Sequence, residues 1–258
     1  MKTVNKTLNL LELFLNGKNE LSLDELSRQA AINKSTTRRI VKSLVDREFL
    51  RQPHKRGAYS LGTKFLEFNQ VIRKHIPIVE IASPFLNQLG EQIDETVALA
   101  IWNGRRSIIS HWIYPNHPLK VSVYDGVMTG LHQTSLGKAI LAELPEEIVD
   151  SYLGKNQELE RFTPHTLTNI DDFKRHLVNI RRNGVAMDDE EGYVGVRGIA
   201  APFRNENGDV AGAVTILGPS VRLTRDRDRE NIPLVKNCAL KISRALGFKS
   251  QTGKPPSQ

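Results

Sequence analysis

A chain of 258 residues with 39% hydrophobic and 25% charged side chains is long enough for one large or two ordinary domains and too apolar for a disordered protein. Its single cysteine, Cys238, excludes an intrachain disulfide and a cysteine-based zinc site, and a reducing cytoplasm is the expected location. The net charge of +7 is unevenly spread, since residues 1–75 hold 15 Lys and Arg against 7 Asp and Glu while the remainder hold 21 against 22; this favours a basic N-terminal module for a polyanion over a generally basic enzyme.

Val4, Leu8, Leu11 and Leu15 recur at helical spacing, and Asn16-Gly17 supplies a stop, which predicts a first helix. Polar residues interrupt this leucine-rich start, no small-residue cleavage site follows, and no run approaches the ~20 apolar residues of a membrane span, so neither an export signal nor a transmembrane helix is expected. Ser22-Leu23-Asp24-Glu25 has the S-x-x-E form of a capping box. Leu23, Leu26 and Ala30 then form the stripe that a second helix would bury.

A short turn at 31–33 leads into a third helix, which Asn33 or Ser35 can cap. In the stretch AINKSTTRRIVKSLVDR, residues 31–47, Thr37, Ile40, Val41 and Leu44 lie at i, i+3, i+4 and i+7 and so share one side. Ser35, Arg38, Arg39 and Lys42 repeat that spacing two positions earlier, which turns them about 200° away, toward solvent. No acid interrupts residues 34–45. Ordinary solvated helix faces mix both charge signs, so the one-signed stripe suits a polyanion. Two short helices joined in this way form a helix-turn-helix whose second member can enter a major groove.

Residues 49–52 and 58–61 are short strand candidates around Pro53-His54-Lys55-Arg56-Gly57. A hairpin placed directly after a helix-turn-helix is a wing, and Lys55 and Arg56 at its tip would reach a phosphate or the minor groove. Phe65, Leu66, Phe68, Val71 and Ile72 continue as a helical pattern that ends near His75-Ile76-Pro77, where the proline disfavours helix in the residue before it. This is the predicted domain boundary. The apolar content of the linking helix suggests packing against a partner, and a further helix over 79–89 presents Val79, Ala82, Leu86 and Leu89 on one side.

From Thr96 the period becomes that of strands. Runs at 96–102 and 106–113 flank Asn103-Gly104, and runs at 199–203 and 210–217 flank Asn207-Gly208, two strong hairpin signals. Helices are predicted over 135–144, 145–153, 171–183 and 232–246. The fold class is α+β, an antiparallel sheet flanked by helices behind a winged helix-turn-helix. The domains are expected at 1–61, 62–76 as linking helix, and 77–248, with a disordered tail over 249–258.

The segments LSLDELSRQAAINKSTTRRIVKSL, RGAYSLGTKFLEF, HQTSLGKAILAELP, AMDDEEGYVGVRGIAAPF and GAVTILGP, in this order and spacing, resemble the IclR family of transcriptional regulators over roughly residues 6–247. The resemblance implies a GAF-like, profilin-like C-terminal sheet that binds a small metabolite, often an organic acid. It implies homodimers, which can pair into tetramers on double-stranded operator DNA. Its recognition-helix positions fall on Lys34, Ser35, Thr36, Arg38 and Arg39, to which the outward stripe adds Lys42. Its effector positions fall on Ser135, Leu136, Asp188, Gly198, Thr215 and Leu217. Ser135 and Leu136 would offer backbone N–H groups at a helix start, Asp188 would accept from or orient a donor, and Thr215 would supply a hydroxyl. Gly198 stands where the family frequently has cysteine, and Leu217 where it has serine, which suggests a larger or less polar ligand than the smallest keto acids.

Ser135-Leu136-Gly137-Lys138 also fits the S-x-x-K pattern of acyl-serine enzymes, making a hydrolase with an accessory basic domain the competing reading. No S-D-N or K-T-G element accompanies it, so no catalytic residue is expected, and a helix-capping Ser135 with a solvated or paired Lys138 is the simpler account. Asp188-Asp189-Glu190-Glu191 lacks the glycine and alternation of a calcium loop and reads as an acidic turn that pairs with Arg197 or the basic helices. His111, His117 and His132 share no metal-ligand spacing. Neither a metal nor a cofactor is expected, and Cys238 reads as a core residue.

Overall fold

The computed structural model describes residues 2–249, apart from 17, 19, 54–56, 76, 124, 125, 128, 129 and 155–157. The chain divides into two compact units, Met1–Pro77 and Ile78–Gln258. Lys55, Arg56 and most of the predicted tail lie outside the described residues.

The first unit opens with α1 (Lys2–Glu12) and a 3-10 turn (Leu13–Asn16), followed by α2 (Leu23–Gln29) and α3 (Lys34–Asp46). The capping box closes α2 as its sequence requires: Ser22 Oγ accepts from Glu25 N at 3.2 Å while Glu25 Oε2 accepts from Ser22 N at 2.9 Å. Thr37, Ile40, Val41 and Leu44 are the buried face of α3, and the three aliphatic ones join Leu10, Phe14, Leu21, Leu26, Ile32 and Leu50 in one core. The predicted first helix forms, but its regular stripe is not its buried face. Leu10 and Phe14 enter the core while Val4, Leu8 and Leu15 are exposed.

β1 (Leu50–Arg51) and β2 (Ser60–Leu61) pair antiparallel, Leu50 opposite Leu61. Leu21 and Tyr59 exchange both backbone hydrogen bonds, at 2.9 and 2.8 Å, and so tie the hairpin back to the start of α2. Gly62 closes the wing because a Cβ there would lie 2.0 Å from the Glu48 carbonyl oxygen. α4 (Lys64–His75) follows, its Phe65 ring edge-on to Phe49 at 5.5 Å.

The second unit is built on a six-stranded antiparallel sheet of order β5-β4-β3-β8-β7-β6. Its strands are β3 (Thr96–Trp102), β4 (Ser107–Ile113), β5 (Gly126–Val127), β6 (Ala186–Asp189), β7 (Val196–Arg204) and β8 (Val210–Pro219). Both Asn-Gly hairpins form where predicted, with Gly104 and Gly208 at positive φ. Residue alternation sorts the two faces. Val97, Leu99, Ile199, Val214 and Ile216 pack under α5 (Ile78–Ile93) and α9 (Asp228–Ala245). Ala98, Ala100, Ala186, Ala200 and Ala213 face α6 (Ser135–Leu141), α7 (Glu146–Leu153) and α8 (Ile170–Asn183). The alanine face is what lets α6 approach the sheet closely.

The last helix begins at Asp228, four residues before its predicted start, and carries Pro233 within it. Cys238 lies on its buried side, and burial pushes the thiol up to about 12, as befits a core residue. Among the described residues no helix is long and apolar enough to cross a membrane, and no group of three or more His, Cys, Asp or Glu side chains could hold a metal ion.

Candidate functional sites

The start of α3 is fixed by Asn33, whose Oδ1 accepts from Thr36 N at 2.8 Å and from Ser35 Oγ at 3.0 Å. Anchored at that end and by its apolar face, the helix exposes Lys34, Ser35, Arg38, Arg39 and Lys42, with Thr36 half-buried. Lys34 differs from the other cations, because its Nζ lies 2.5 Å from Asp24 Oδ1 across the turn. Arg38, Arg39 and Lys42 have no carboxylate partner among the described residues. They are held on a rigid helix with their donors available to an external anion. In the wing, Arg51 Nε donates to Ser60 Oγ at 2.9 Å and Gln52 Nε2 to the Gly57 carbonyl at 2.9 Å.

In the second unit, four of the six residues singled out for the effector, Asp188, Gly198, Thr215 and Leu217, are brought together by strand register. Asp188 is opposite Gly198, Gly198 opposite Leu217, and Leu217 opposite Thr96, so one row crosses β6, β7, β8 and β3. A neighbouring row runs Ala186, Ala200, Thr215, Ala98. Both rows face α6. Ser135, the first residue of that helix, sits above them with its Oγ 2.9 Å from Thr215 Oγ1. Thr134 caps α6, accepting from Gly137 N at 3.1 Å. The Leu136 side chain belongs to the core beneath α6, which leaves its backbone as the part that could meet a ligand.

Gly198 lies where the helix and the sheet pack most closely. A Cβ on it would lie 2.6 Å from Ser135 Oγ and 2.8 Å from Leu217 Cδ2. The space that a larger residue would take is already filled by those two side chains, so glycine here permits close packing and does not enlarge the cavity.

Asp188 is 4% exposed. Burial raises its carboxyl to about 6, against the opposing pull of the Glu191 N–H, the Lys138 charge and the Gly192 N–H. Its Oδ1 accepts from Glu191 N at 2.8 Å and Gly192 N at 3.4 Å. Lys138 is 0% exposed and pairs with Glu191. Of the two simple alternatives for Lys138, the paired one holds, deep in the unit. Thr215 Oγ1 is 3.0 Å from the Ile199 carbonyl, to which it donates, so the Ser135 proton is directed at Thr215. With Ser135 turned to Thr215 and Lys138 to Glu191, the S-x-x-K pairing of an acyl-serine enzyme is not assembled.

The acidic segment divides by strand alternation. Asp188 faces α6, whereas Asp189 and Arg197 face α9. Arg197, 3% exposed, donates through Nε to Asp189 Oδ1 at 2.7 Å, through Nη1 to the Leu223 carbonyl at 2.6 Å and through Nη2 to Asp228 Oδ2 at 3.1 Å. Burial would raise the Asp189 carboxyl, but the bonds from Arg197 and Arg225 prevail and hold it below its ordinary value. The expected pairing of the acidic segment with Arg197 is therefore present.

Sequence reasoning missed Gln133 beside the row and singled out His132 only as lacking metal-ligand spacing. Gln133, at the end of a 3-10 turn (Leu131–Gln133), is buried beside Gly192. His132 is buried with Nε2 2.8 Å from the Glu160 carbonyl and Nδ1 3.3 Å from the Tyr152 hydroxyl, and is thereby accounted for as a hydrogen-bonded core histidine. The only signal in the sequence was adjacency to the LGKA segment.

Comparison with known proteins fits this geometry. Residues 3–54 match the IclR helix-turn-helix domain and residues 70–244 match the bacterial transcriptional regulator IclR C-terminal domain. The HTH-type transcriptional regulator KipR of Bacillus subtilis is 33% identical over 249 residues, 96% of this chain and 98% of KipR. A crystal structure of a putative IclR transcriptional regulator from Silicibacter sp. TM1040 superposes with a TM-score of 0.85 at 28% identity, covering 98% of both chains. An IclR homologue from Microbacterium hydrocarbonoxydans, solved in complex with 4-hydroxybenzoate, shares the fold at 22% identity, with a TM-score of 0.81 over 95% of this chain and 98% of its own. A helix-turn-helix with a cationic reading face, joined to an α+β domain matched over most of its length, makes this chain a member of the IclR family of DNA-binding transcriptional regulators.

Proposed function

We propose that the chain is a cytoplasmic homodimer that binds double-stranded operator DNA through α3 and releases or grips it according to a small molecule bound beneath α6. In this reading residues 1–61 are the DNA-binding domain, 62–76 the linking helix and 77–248 the effector domain. Arg38, Arg39 and Lys42 contact phosphates and base edges, Ser35 and Thr36 lie near the bases, and Lys34, Lys55 and Arg56 add backbone contacts. The observation that carries this reading is the outer face of α3, free of acids over residues 34–45, with three cations that have no carboxylate partner among the described residues.

Dimerisation is supported by the apolar residues that the first unit leaves exposed, Val4, Leu8 and Leu15 on one stretch and Leu66, Phe68 and Val71 on α4. A two-fold dimer puts two α3 helices about one helical turn of DNA apart. Pairing of dimers into a tetramer on the operator extends the same arrangement. The effector is an organic acid or aromatic compound held by Ser135, Leu136, Asp188, Gly198, Thr215 and Leu217, a class suggested by the 4-hydroxybenzoate bound to the Microbacterium homologue. It shifts DNA occupancy only by its differential affinity for the two states of the protein.

Fluorescence anisotropy with DNA from the promoter of its own gene tests the reading. Tight binding that survives excess non-specific competitor is expected. Equal, weak binding to every sequence at low salt would overturn it.

A further inference from the structure

Asn33 does more than start α3. Its Oδ1 accepts both from Thr36 N at 2.8 Å and from Ser35 Oγ at 3.0 Å, which occupies the two lone pairs of the amide oxygen. The Thr36 N–H requires an acceptor at that place, and this fixes the orientation of the amide: Oδ1 faces the helix, and Nδ2 is turned away from it. Asn33 is exposed, and its Nδ2 makes no hydrogen bond among the described residues. The same contact defines Ser35. An amide oxygen cannot donate, so the Ser35 hydroxyl commits its proton to Asn33, and toward solvent its oxygen can only accept.

The first turn of α3 therefore presents a donor, Asn33 Nδ2, beside an acceptor, Ser35 Oγ, the two linked through one shared oxygen. The cation between them in sequence is already engaged, since Lys34 Nζ lies 2.5 Å from Asp24 Oδ1. This edge thus has little free charge for a phosphate, whereas Arg38, Arg39 and Lys42 further along the helix keep theirs. We propose that Asn33 is a specificity-determining residue which, together with Ser35, reads one adenine in the major groove, Nδ2 donating to N7 and Ser35 Oγ accepting from the N6 amino group. Adenine is the base whose own major-groove edge carries an acceptor beside a donor; guanine offers two acceptors, cytosine a donor, and thymine an acceptor beside its methyl. An asparagine usually reads adenine with both ends of its amide. Asn33 cannot, because its oxygen is held by the helix, and the serine supplies the missing acceptor. Residues at the start of a recognition helix are the ones that meet base edges. The inference rests on the reading of α3 as the helix that enters the groove.

The test is selection of duplex DNA from a randomised pool by the full chain, by Asn33→Asp and by Ser35→Ala. Aspartate caps a helix as well as asparagine does, and Ser35 is exposed, so both changes spare the fold; Ser35→Ala is decisive by itself. The wild type should select adenine over guanine about tenfold at one position of each half-site, as one good bidentate contact supports. Ser35→Ala should bring that ratio close to one and leave the other positions as they were. Asn33→Asp presents two acceptors and should replace adenine at the same position by cytosine, whose N4 amino group donates. A motif that neither variant alters, or changes that fall at two different positions, overturns the inference alone. A wild type that enriches no motif overturns the recognition-helix reading and the inference with it.

Discussion

Ser135 Oγ lies 2.9 Å from Thr215 Oγ1, so the first residue of α6 is joined to the middle of β8 by a hydrogen bond between two buried hydroxyls. Thr215 in turn donates to Ile199 of β7 at 3.0 Å. One helix and two strands are thus tied at the point where the candidate effector residues meet, and the approach is close enough to require glycine at 198.

Gly198→Ala should destabilise the second unit by about 1–3 kcal/mol, the typical cost of forcing a methyl into a packed interior, since the new Cβ meets Ser135 Oγ at 2.6 Å and Leu217 Cδ2 at 2.8 Å. Adding Ser135→Ala removes the nearer obstacle, and the double variant should recover part of the loss. Denaturant unfolding of the four proteins in a mutant cycle measures the coupling. Strict additivity would show that the methyl finds room without displacing Ser135.

Much of the first unit was legible because its signals are local. The buried face of α3 follows from the i, i+3, i+4, i+7 spacing of Thr37, Ile40, Val41 and Leu44, and the Ser22–Glu25 box marks a helix start within four residues. The spacing of Val4, Leu8, Leu11 and Leu15 marked a helix but not its buried side, because burial depends on what a helix packs against, and Leu10 and Phe14 are the residues that enter the core. Strands β5 and β6, of two and four residues, are too short to display a period. The meeting of Asp188, Gly198 and Leu217 depends on register between strands distant in sequence, which spacing cannot reveal; only the family resemblance placed them together. The role of Gly198 needed Ser135 in view.

The α3 cations should not contribute equally to DNA affinity. Lys42→Ala removes an unpaired charge and should lower the slope of log K against log salt by about 0.9. Lys34→Ala should do less, because Asp24 at 2.5 Å already neutralises that ammonium. Asp24→Ala should tighten DNA binding. Anisotropy titrations at several salt concentrations separate the three, and equal slopes for Lys34→Ala and Lys42→Ala would mean that the Asp24 pair opens on DNA.

Arg197 should tolerate no replacement. Its planar fork serves Asp189, the Leu223 carbonyl and Asp228 at 2.6–3.3 Å in one buried position. Arg197→Met leaves Asp228 and part of Asp189 uncompensated, with an expected loss of about 3–5 kcal/mol. Arg197→Lys keeps the charge but reaches fewer acceptors, and should fall between. Thermal unfolding ranks the three, and a lysine variant as stable as wild type would show that charge alone suffices.

Exposed leucines on α1 and α4 should set the oligomeric state. Leu8→Glu and Leu66→Glu replace side chains that the folded unit leaves in solvent, so each variant should fold with near-normal stability. In sedimentation velocity the wild type should run as a dimer and the combined variant as a monomer, with DNA affinity reduced accordingly. A variant that stays dimeric with intact affinity would move the interface to other surfaces.

Asp188 should give the protein a stability that falls with rising pH across the acid range. The carboxyl ionises near 3.8 when unperturbed and near 6 in the folded chain, chiefly because it is buried. Between those values the folded state holds more protons than the unfolded state, so raising the pH through the window destabilises the fold, by roughly 3 kcal/mol for a shift of this size. Glu191 and Lys138 face the same carboxyl and set its local field. His176 acts in the opposite sense, since burial and Lys138 lower its pKa and the folded state gains stability as pH rises toward 6.5. A comparison of wild type with Asp188→Asn cancels that contribution: the substituted amide keeps an oxygen for the Glu191 and Gly192 N–H groups but cannot ionise. The stability of wild type minus that of Asp188→Asn should therefore decline between about pH 4 and 6 and level off above. Denaturation midpoints at half-unit pH intervals measure it, and a difference that is flat, or that rises with pH, would show that the carboxyl is charged and well solvated in the folded protein.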